Sequence, residues 1–153
     1  MGNCRRIGVL SDTHGFFDAQ LKKIFADTDQ IIHAGDIGPD AIVDQLQEIA
    51  PVIAVSGNCD SFLPYPVHHR FSACGFQIHL QHIVTPGRTD SIPEPTDLVV
   101  FGHTHRQYSA RIGGIHYLNP GYSGTPKPGT TRSVALLSLE QGKSIELEFI
   151  SLF

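Results

Sequence analysis

The amino-acid sequence predicts an α/β fold built on βαβ units, in one domain over residues 1–153. In the first sixty residues, short apolar segments alternate with amphipathic segments of helical period. This alternation is typical of a parallel sheet with right-handed crossovers. The second half changes to short strand-like segments separated by turns. No repeat or linker divides the chain, and 153 residues suit a single domain.

Three strands and two helices account for the first half. The strands are predicted at Arg5–Leu10, Gln30–Ala34 and Val52–Val55. Between them, apolar residues recur every three or four positions over Phe16–Ala26 and Asp40–Ile49, which predicts two amphipathic helices. Pro39 stands where the second helix can begin, and Pro51 follows its end.

The second half contains seven predicted strands and two predicted loops. The strands are Val67–Phe71, Phe76–Leu80, Leu98–Phe101, Gln107–Ile112, Ile115–Leu118, Val134–Leu139 and Ser144–Ile150. Gly113-Gly114 is a strong hairpin signal, and Gln141-Gly142 predicts a further turn. Thr85–Thr96 and Tyr122–Thr131 are rich in Pro, Gly and Thr, which favours loops.

Bulk composition excludes several classes of protein. The formal net charge is -4 at pH 7, so we expect no broad basic surface for nucleic acid. The longest apolar segments are far shorter than a membrane span, so no membrane is expected as a partner. Three cysteines without a CxxC spacing favour a reducing cytoplasm over a disulfide framework. Nine histidines are many for this length, and histidine is the commonest metal-ligating side chain.

Metal-ligand residue types recur where the predicted strands end. They are Asp12 and His14, Asp36, Asn58 and Asp60, His82, and finally His103 and His105. Because the carboxyl ends of parallel strands share one edge of a sheet, these distant residues are expected to converge there. Each group alone has an ordinary explanation, such as a turn Asp or a helix cap. The joint pattern favours a metal site.

The number and type of the ligands favour two metals. Seven N or O ligands exceed the need of one tetrahedral site and suit two ions that share a carboxylate. Imidazole with carboxylate fits Mn, Fe, Zn, Co or Ni better than Ca or Mg. The proposed ligands include no cysteine, which argues against a structural zinc site.

These motifs together resemble the calcineurin-like metallophosphoesterase superfamily. The motifs are Asp12-x-His14, Gly35-Asp36, Gly57-Asn58-Cys59-Asp60, His82 and Gly102-His103-x-His105. The Gly-Asn-Cys-Asp form and the short length are similar to the small YfcE-like phosphodiesterase family. The resemblance extends from Leu10 to about Gly124. It implies a two-sheet β-sandwich flanked by helices.

The resemblance also implies a ligand set and a reaction. One metal would be held by Asp12, His14 and His105, the other by Asn58, His82 and His103, with Asp36 as the bridge. The ions would be divalent, Mn2+ first, with Fe, Zn, Ni or Co as alternatives. A hydroxide between them would attack a phosphate ester in line. Of the two classes, a phosphodiesterase is favoured over a phosphomonoesterase, while the preference for diester or monoester substrates stays open.

Further roles follow from the same resemblance. Asn58 and His103 would stabilise charge on the phosphoryl oxygens, and Asn58 and Cys59 would contact the substrate, a small phosphate ester. Asp60 would orient the Asn58 loop, and Asn119 would pack near the metals.

Three departures from the family pattern carry expectations of their own. Ile83 follows His82 where relatives usually have Gly, which leaves His79 as an alternative ligand; His82 is preferred because it lies at the strand end. The prolines of Thr85–Thr96 predict that a helix common in relatives is missing or reduced. A thiol is a poor proton donor, so Cys59, in place of a frequent His, predicts either a preference for good leaving groups or reliance on metal for the leaving oxygen.

The other histidines and one arginine have simpler interpretations. His33 is expected to pack near a strand end, His68 and His69 to lie on a solvated strand face, and His116 to be exposed. Arg132 is interpreted as a surface residue.

Two other functions were weighed against the phosphoesterase. A non-catalytic protein-interaction scaffold of the same fold is one, because a eukaryotic trafficking subunit is related to this family. Such scaffolds tend to lose metal-binding histidines, whereas this chain has a candidate for every position. A nucleotide-binding module is disfavoured because no Walker or GxGxxG loop is present. The apolar end of the chain, Ile145–Phe153, is expected at a sheet edge, which leaves a homo-oligomer open.

Overall fold

The structure is a computed structural model that describes residues 4–153 and contains two five-stranded sheets. The elements in chain order are β1 (Cys4–Leu10), α1 (Leu21–Ile24), β2 (Gln30–His33), α2 (Ala41–Gln47), β3 (Val52–Ala54), β4 (His68–Ala73), β5 (Phe76–Gln81), β6 (Leu98–Val100), β7 (Gln107–Ile112), β8 (Ile115–Pro120), β9 (Ser133–Glu140) and β10 (Glu146–Ser151). The α/β class and the two-sheet sandwich are confirmed.

Each sheet contains three adjacent parallel strands, with antiparallel strands on one side in the first sheet and on both sides in the second. The first has the order β10-β9-β1-β2-β3, in which β1, β2 and β3 are parallel, as the alternating pattern predicted. The second has the order β4-β5-β6-β8-β7, in which β5, β6 and β8 are parallel. The C-terminal strand β10 lies at a sheet edge, as expected.

Alternate residues of β1 face the two sides of the first sheet. Ile7 and Val9 are fully buried between the sheets, in a core shared with β5, β6 and β9. Leu10 faces the opposite side, where α1 and α2 pack. A Cβ on Gly8 would lie 2.7 Å from the ring of Phe25 on that side, so this position needs glycine for the helical layer to approach.

The first helix is much shorter than predicted. The periodicity favoured a helix over Phe16–Ala26, but only Leu21–Ile24 is α-helical. Asp18 is the physical reason: it is buried, accepts a hydrogen bond from the Gln20 amide at 2.9 Å, and pairs with Arg132. These contacts hold the segment before Leu21 as turns. The second helix is confirmed, with Ile42, Val43 and Leu46 buried in the helical layer.

The hairpin and loop predictions for the second half are confirmed. Ile112 pairs with Ile115 around Gly113-Gly114, and both glycines have positive φ, 58° and 81°. In the part of the chain that the structure describes, residues 82–97 contain no helix. This segment covers the outer face of the second sheet with Ile92 and is fixed by Arg70, which donates to Thr96 Oγ1 at 2.7 Å.

Two residues are less exposed than the sequence suggested. Arg132, interpreted as a surface residue, is 5% exposed. His116 is half-buried and hydrogen-bonds Ser109 Oγ at 2.8 Å. Among residues 4–153, no helix has the length and apolarity that a membrane crossing would need.

Candidate metal centre

Loops from both sheets meet at one edge of the sandwich. Three backbone hydrogen bonds join them: Asp12 N–H donates to Gly35 O at 3.0 Å, His14 N–H to Asp36 O at 3.0 Å, and Gly102 N–H to His82 O at 2.9 Å. They join the loop after β1 to the loop after β2, and the loop after β5 to the loop after β6, while the His103 amide links the two pairs by donating to Asp12 Oδ2 at 3.1 Å. The ends of these strands lie close together in the structure, as expected.

The backbone at this edge is strained at the residues that the sequence singled out. Among residues 4–153, six non-glycine residues have positive φ, and five of them belong to the predicted ligand set. These are Asp12 (59°), His14 (46°), Asp36 (56°), His103 (74°) and His105 (63°), with Cys74 (52°) elsewhere. Left-handed φ is costly for residues with a Cβ and clusters at functional sites. The fold therefore maintains strain in order to aim these side chains.

Each of the two buried carboxylates uses one oxygen for the protein and presents the other to histidines. Asp12 Oδ2 accepts from Ser11 Oγ at 2.7 Å and from His103 N–H at 3.1 Å. Asp36 Oδ1 accepts from the Cys59 amide at 2.9 Å. The remaining oxygens, Asp12 Oδ1 and Asp36 Oδ2, face imidazole Nε2 atoms. This arrangement is what a pair of metal-ligating carboxylates requires.

His82 has its tautomer fixed by its surroundings. Its Nδ1 lies 2.7 Å from Ala34 O, and because a carbonyl only accepts, Nδ1 carries the proton. The Nε2 lone pair then points at carboxylate oxygens, 3.2 Å from Asp36 Oδ2 and 3.8 Å from Asp12 Oδ1. Among the described residues, both Nε2 and Asp12 Oδ1 are buried without a hydrogen-bond partner. Both are metal-ligand atoms, and a cation bound at each would supply the missing partner, so the residues present fit metal binding.

The other histidines complete two groups of ligand atoms. Within 4.8 Å of one another lie the ligand atoms of Asp12, His14 and His105, and separately those of Asp36, His82 and His103. His105 Nε2 is 3.3 Å from Asp12 Oδ1, and His14 Nε2 is 3.8 Å from Asp36 Oδ2. Asp36 thus belongs to the second group and also lies near His14 of the first. His14 and His105 are 36% and 40% exposed, so the centre is open to a substrate.

Asn58 and Cys59 form the exposed side of the centre. The Asn58 amide donates to Cys59 Sγ at 3.6 Å, and both residues are exposed. Cys59 also offers a ligand atom within 4.8 Å of those of His14 and Asp36, which the sequence analysis missed. The negative charge of Asp36 beside it raises the pKa of the Cys59 thiol. The role of Asn58 as a ligand stays a prediction.

His79 lies among different neighbours. Its ring stacks on His68 with centroids 5.8 Å apart, and its Nε2 hydrogen-bonds Gln81 Oε1 at 2.9 Å. The residue whose Nε2 faces both carboxylates is His82, which favours the strand-end choice.

Two polar residues tie the ligand loops together. The Asp60 carboxylate accepts from the amides of Ile37 at 3.0 Å and Gly57 at 2.9 Å, so it joins the loops after β2 and β3. Asn119 Nδ2 donates to Gly102 O and Thr104 Oγ1, both at 3.0 Å. Asp60, expected to orient the Asn58 loop, and Asn119, expected to pack near the metals, both lie where these roles are feasible.

Glycine is required where the loops press on the carboxylates. A Cβ on Gly57 would lie 2.2 Å from Asp36 Oδ1, and one on Gly102 would lie 2.0 Å from Ser11 Oγ and 2.8 Å from Asp12 Oδ2. Any larger residue at these positions would displace the carboxylates that face the histidines.

His33 supports the centre from beneath. It is fully buried, its Nδ1 accepts from the Gly35 amide at 3.1 Å, and its Nε2 lies 3.0 Å from Thr13 Oγ1. Thr13 Oγ1 donates to Ile37 O at 2.7 Å, so it accepts from His33 Nε2–H. Burial, reinforced by the nearby His82, lowers the pKa of His33 to about 3. The neutral ring therefore has both nitrogens satisfied.

Tyr122 and Arg132 are supporting residues that the sequence analysis did not identify. The Tyr122 ring packs on His105 with centroids 4.8 Å apart and on His14 at 6.4 Å. Arg132 donates to Gly124 O at 2.8 Å and to Asp18 Oδ2 at 2.6 Å, which ties the loop after β8 to the loop after β1. Burial opposes ionisation of Asp18, yet hydrogen bonds from Arg132 and Gln20 lower its pKa overall. Pairing of this kind depends on tertiary contacts that no local pattern reveals.

The fold and the centre together define a class, a two-sheet α/β sandwich with carboxylates and histidines grouped at the strand ends. The calcineurin-like phosphoesterase superfamily domain matches residues 6–142, and the chain belongs to this superfamily. A probable metallophosphoesterase of Methanothermobacter thermautotrophicus is 31% identical over 94% of this chain and 91% of its own. Phosphodiesterase YfcE of Escherichia coli is 28% identical over 83% of this chain and 84% of its own. The predicted resemblance is confirmed.

Solved structures agree on the fold. The phosphoesterase YfcE from E. coli covers 97% of this chain and 100% of its own with a TM-score of 0.68 at 24% identity. Vacuolar Protein Sorting 29 from Cryptosporidium parvum covers 97% of this chain and 99% of its own with a TM-score of 0.74 at 21% identity. At these identities the likeness concerns architecture.

Proposed function

We propose that this protein is a metal-dependent phosphodiesterase that uses two divalent ions. The observation that carries the proposal is that two of the four buried side-chain atoms without hydrogen-bond partners among residues 4–153, Asp12 Oδ1 and His82 Nε2, lie at this centre. Both are metal-ligand atoms: Asp12 belongs to one ligand group, and His82 belongs to the other, which includes Asp36. The membership of the superfamily and the phosphodiesterase YfcE among the relatives support the same reaction class.

The ligand assignment follows the two groups. Asp12, His14 and His105 would hold one ion, His82 and His103 with Asn58 the other, and Asp36 would bridge. When bound, the ions supply Lewis-acid stabilisation of phosphoryl charge and lower the pKa of a water ligand. Imidazole with carboxylate suits first-row transition ions, so we place Mn2+ first and Fe, Zn, Ni or Co after it.

The chain's own groups position the ester and its charge. Asn58 lies on the exposed side of the centre, where its amide can donate to a phosphoryl oxygen, and His103 lies at the opposite loop. The Cys59 thiol, with its raised pKa, is a weak proton donor beside the same oxygens. The protein should therefore favour esters whose leaving group needs no proton.

The compartment and the partners are also part of the proposal. Three cysteines that are free thiols in the structure suit a reducing cytoplasm. A small phosphate ester is the expected partner. The protein-interaction scaffold is the alternative; the likeness to Vacuolar Protein Sorting 29 concerns the fold, while a complete set of candidate ligands favours the enzyme.

The test compares an activated phosphodiester with the matching monoester. Metal-stripped wild type and Asp36→Asn are assayed with and without Mn2+. We expect metal-dependent turnover of the wild type, a higher rate on the diester, and loss of turnover in the variant. Binding of two metal equivalents without turnover of either compound would favour the scaffold.

A further inference from the structure

A cleft opens directly beside the candidate metal centre. Its volume is about 440 Å³, and it is lined by Thr104, His105, Arg106, Gln107, Gly129, Thr130, Thr131 and Ser133. Because His105 belongs both to this lining and to the Asp12 ligand group, a substrate held at the metals has its substituent next to the cleft. We call this space the His105 cleft.

The charge around the His105 cleft is positive in a chain of net charge -4. Arg106 is exposed and lines it, and none of the eight described lining residues is acidic. Lys127 lies close by: its Nζ is 5.3 Å from the centre of the Tyr122 ring, which packs on His105 at 4.8 Å. One cation, Arg106, thus lines the cleft, and a second, Lys127, lies over the Tyr122 ring that packs on His105.

The remaining lining is polar and small. It offers hydroxyls from Thr104, Thr130 and Thr131 and the amide of Gln107, and among the described lining residues there is no large apolar side chain. A lipid chain or an aryl group would gain little from such walls, whereas hydroxyl and phosphate oxygens would find donors. Arg is well suited to bind phosphate because its guanidinium can donate two parallel hydrogen bonds.

We infer that the His105 cleft binds a second phosphate carried by one ester group of the substrate. The preferred substrate class is then a phosphodiester of a hydroxylated, phosphorylated alcohol, such as a nucleotide that bears an additional phosphate. This inference rests on the proposed phosphodiesterase function. Arg106 is its main contact and Lys127 contributes charge at the rim.

The experiment uses two chromogenic diesters that differ in one phosphate. These are thymidine 5′-(p-nitrophenyl phosphate) and the same compound with a 3′-phosphate. Both release p-nitrophenolate, so the leaving group is constant and kcat/KM reports recognition of the nucleoside part. The assays use the Mn2+-loaded protein at constant ionic strength, so that general screening is equal for both compounds.

The wild type should hydrolyse the 3′-phosphorylated compound with a kcat/KM about tenfold higher, the scale of one charged hydrogen bond. The ratio between the two compounds should fall towards one in Arg106→Gln and partly in Lys127→Gln. Arg111→Gln is the matched control. Arg111 is also an exposed arginine, but it lies near the end of β7 at Ile112 and does not line the cleft. The control should keep the wild-type ratio.

The outcomes separate this inference from the function on which it rests. Equal kcat/KM values for both compounds would overturn the second-phosphate site while the phosphodiesterase stands. A tenfold preference that persists in Arg106→Gln and in the Arg106→Gln/Lys127→Gln double variant would also overturn it. Hydrolysis of neither compound, with metal bound, would contradict the phosphodiesterase itself.

Discussion

The buried His33 should make the free energy of unfolding depend on pH. In the folded protein its pKa is about 3, whereas an unfolded histidine titrates near 6.5. Between these values the unfolded chain binds one proton more than the folded chain, so stability falls as the pH falls. The slope approaches about 1.4 kcal/mol per pH unit once the unfolded histidine is fully protonated, and the loss between pH 6.5 and pH 4.5 amounts to about 2.3 kcal/mol.

The measurement is urea unfolding of the metal-stripped protein at several pH values from 8 to 4. His33→Asn keeps an acceptor for the Gly35 amide but removes the donor to Thr13 Oγ1, so it should lose about 1–3 kcal/mol at pH 8. Its dependence on pH should be shallower than that of the wild type by about 1.4 kcal/mol per unit. His68→Asn, which removes an exposed histidine, is the control. Parallel curves for wild type and His33→Asn would refute the reasoning.

Three further predictions concern the supports of the centre. Gly102→Ala places a Cβ 2.0 Å from Ser11 Oγ, so the affinity for Mn2+ should fall at least about tenfold. Circular dichroism should still show the fold. Wild-type affinity in a calorimetric titration would contradict this. Arg132→Met leaves Asp18 buried without its partner and should cost about 3–5 kcal/mol in urea unfolding. Adding Asp18→Asn to that variant should recover part of the loss, and an additive further loss would disprove the pairing. Cys59→Ala should keep turnover of an activated diester within about threefold with two metals bound, because the thiol is a weak acid; abolished turnover would give Cys59 an essential role.

Local patterns in the sequence predict the framework of this protein well. The βαβαβ order follows from apolar periodicity, and the Gly113-Gly114 turn fixes the register of β7 and β8. Candidate ligands were identifiable because parallel strands place their carboxyl ends at one edge. The prolines between 85 and 96 predicted the absence of a helix because proline restricts the backbone of its own segment and removes a hydrogen-bond donor.

What the sequence could not predict depends on contacts between distant segments. The short first helix results from the buried pair of Asp18 and Arg132, which are 114 residues apart. Cys59 lies near the ligand atoms of His14 and Asp36 because its loop is folded back by Asp60. Such pairings leave no periodic trace, since each partner alone resembles an ordinary surface residue.

The most direct test of the central claim is a calorimetric titration of the metal-stripped protein with Mn2+. We expect two equivalents to bind the wild type, and weaker binding with reduced stoichiometry in Asp36→Asn, because Asp36 belongs to one ligand group and also lies near His14 of the other. His79→Gln is the matched control, since His79 contacts His68 and Gln81, and it should still bind two equivalents. Absence of Mn2+, Zn2+ or Ni2+ binding by the folded wild-type protein would contradict the account.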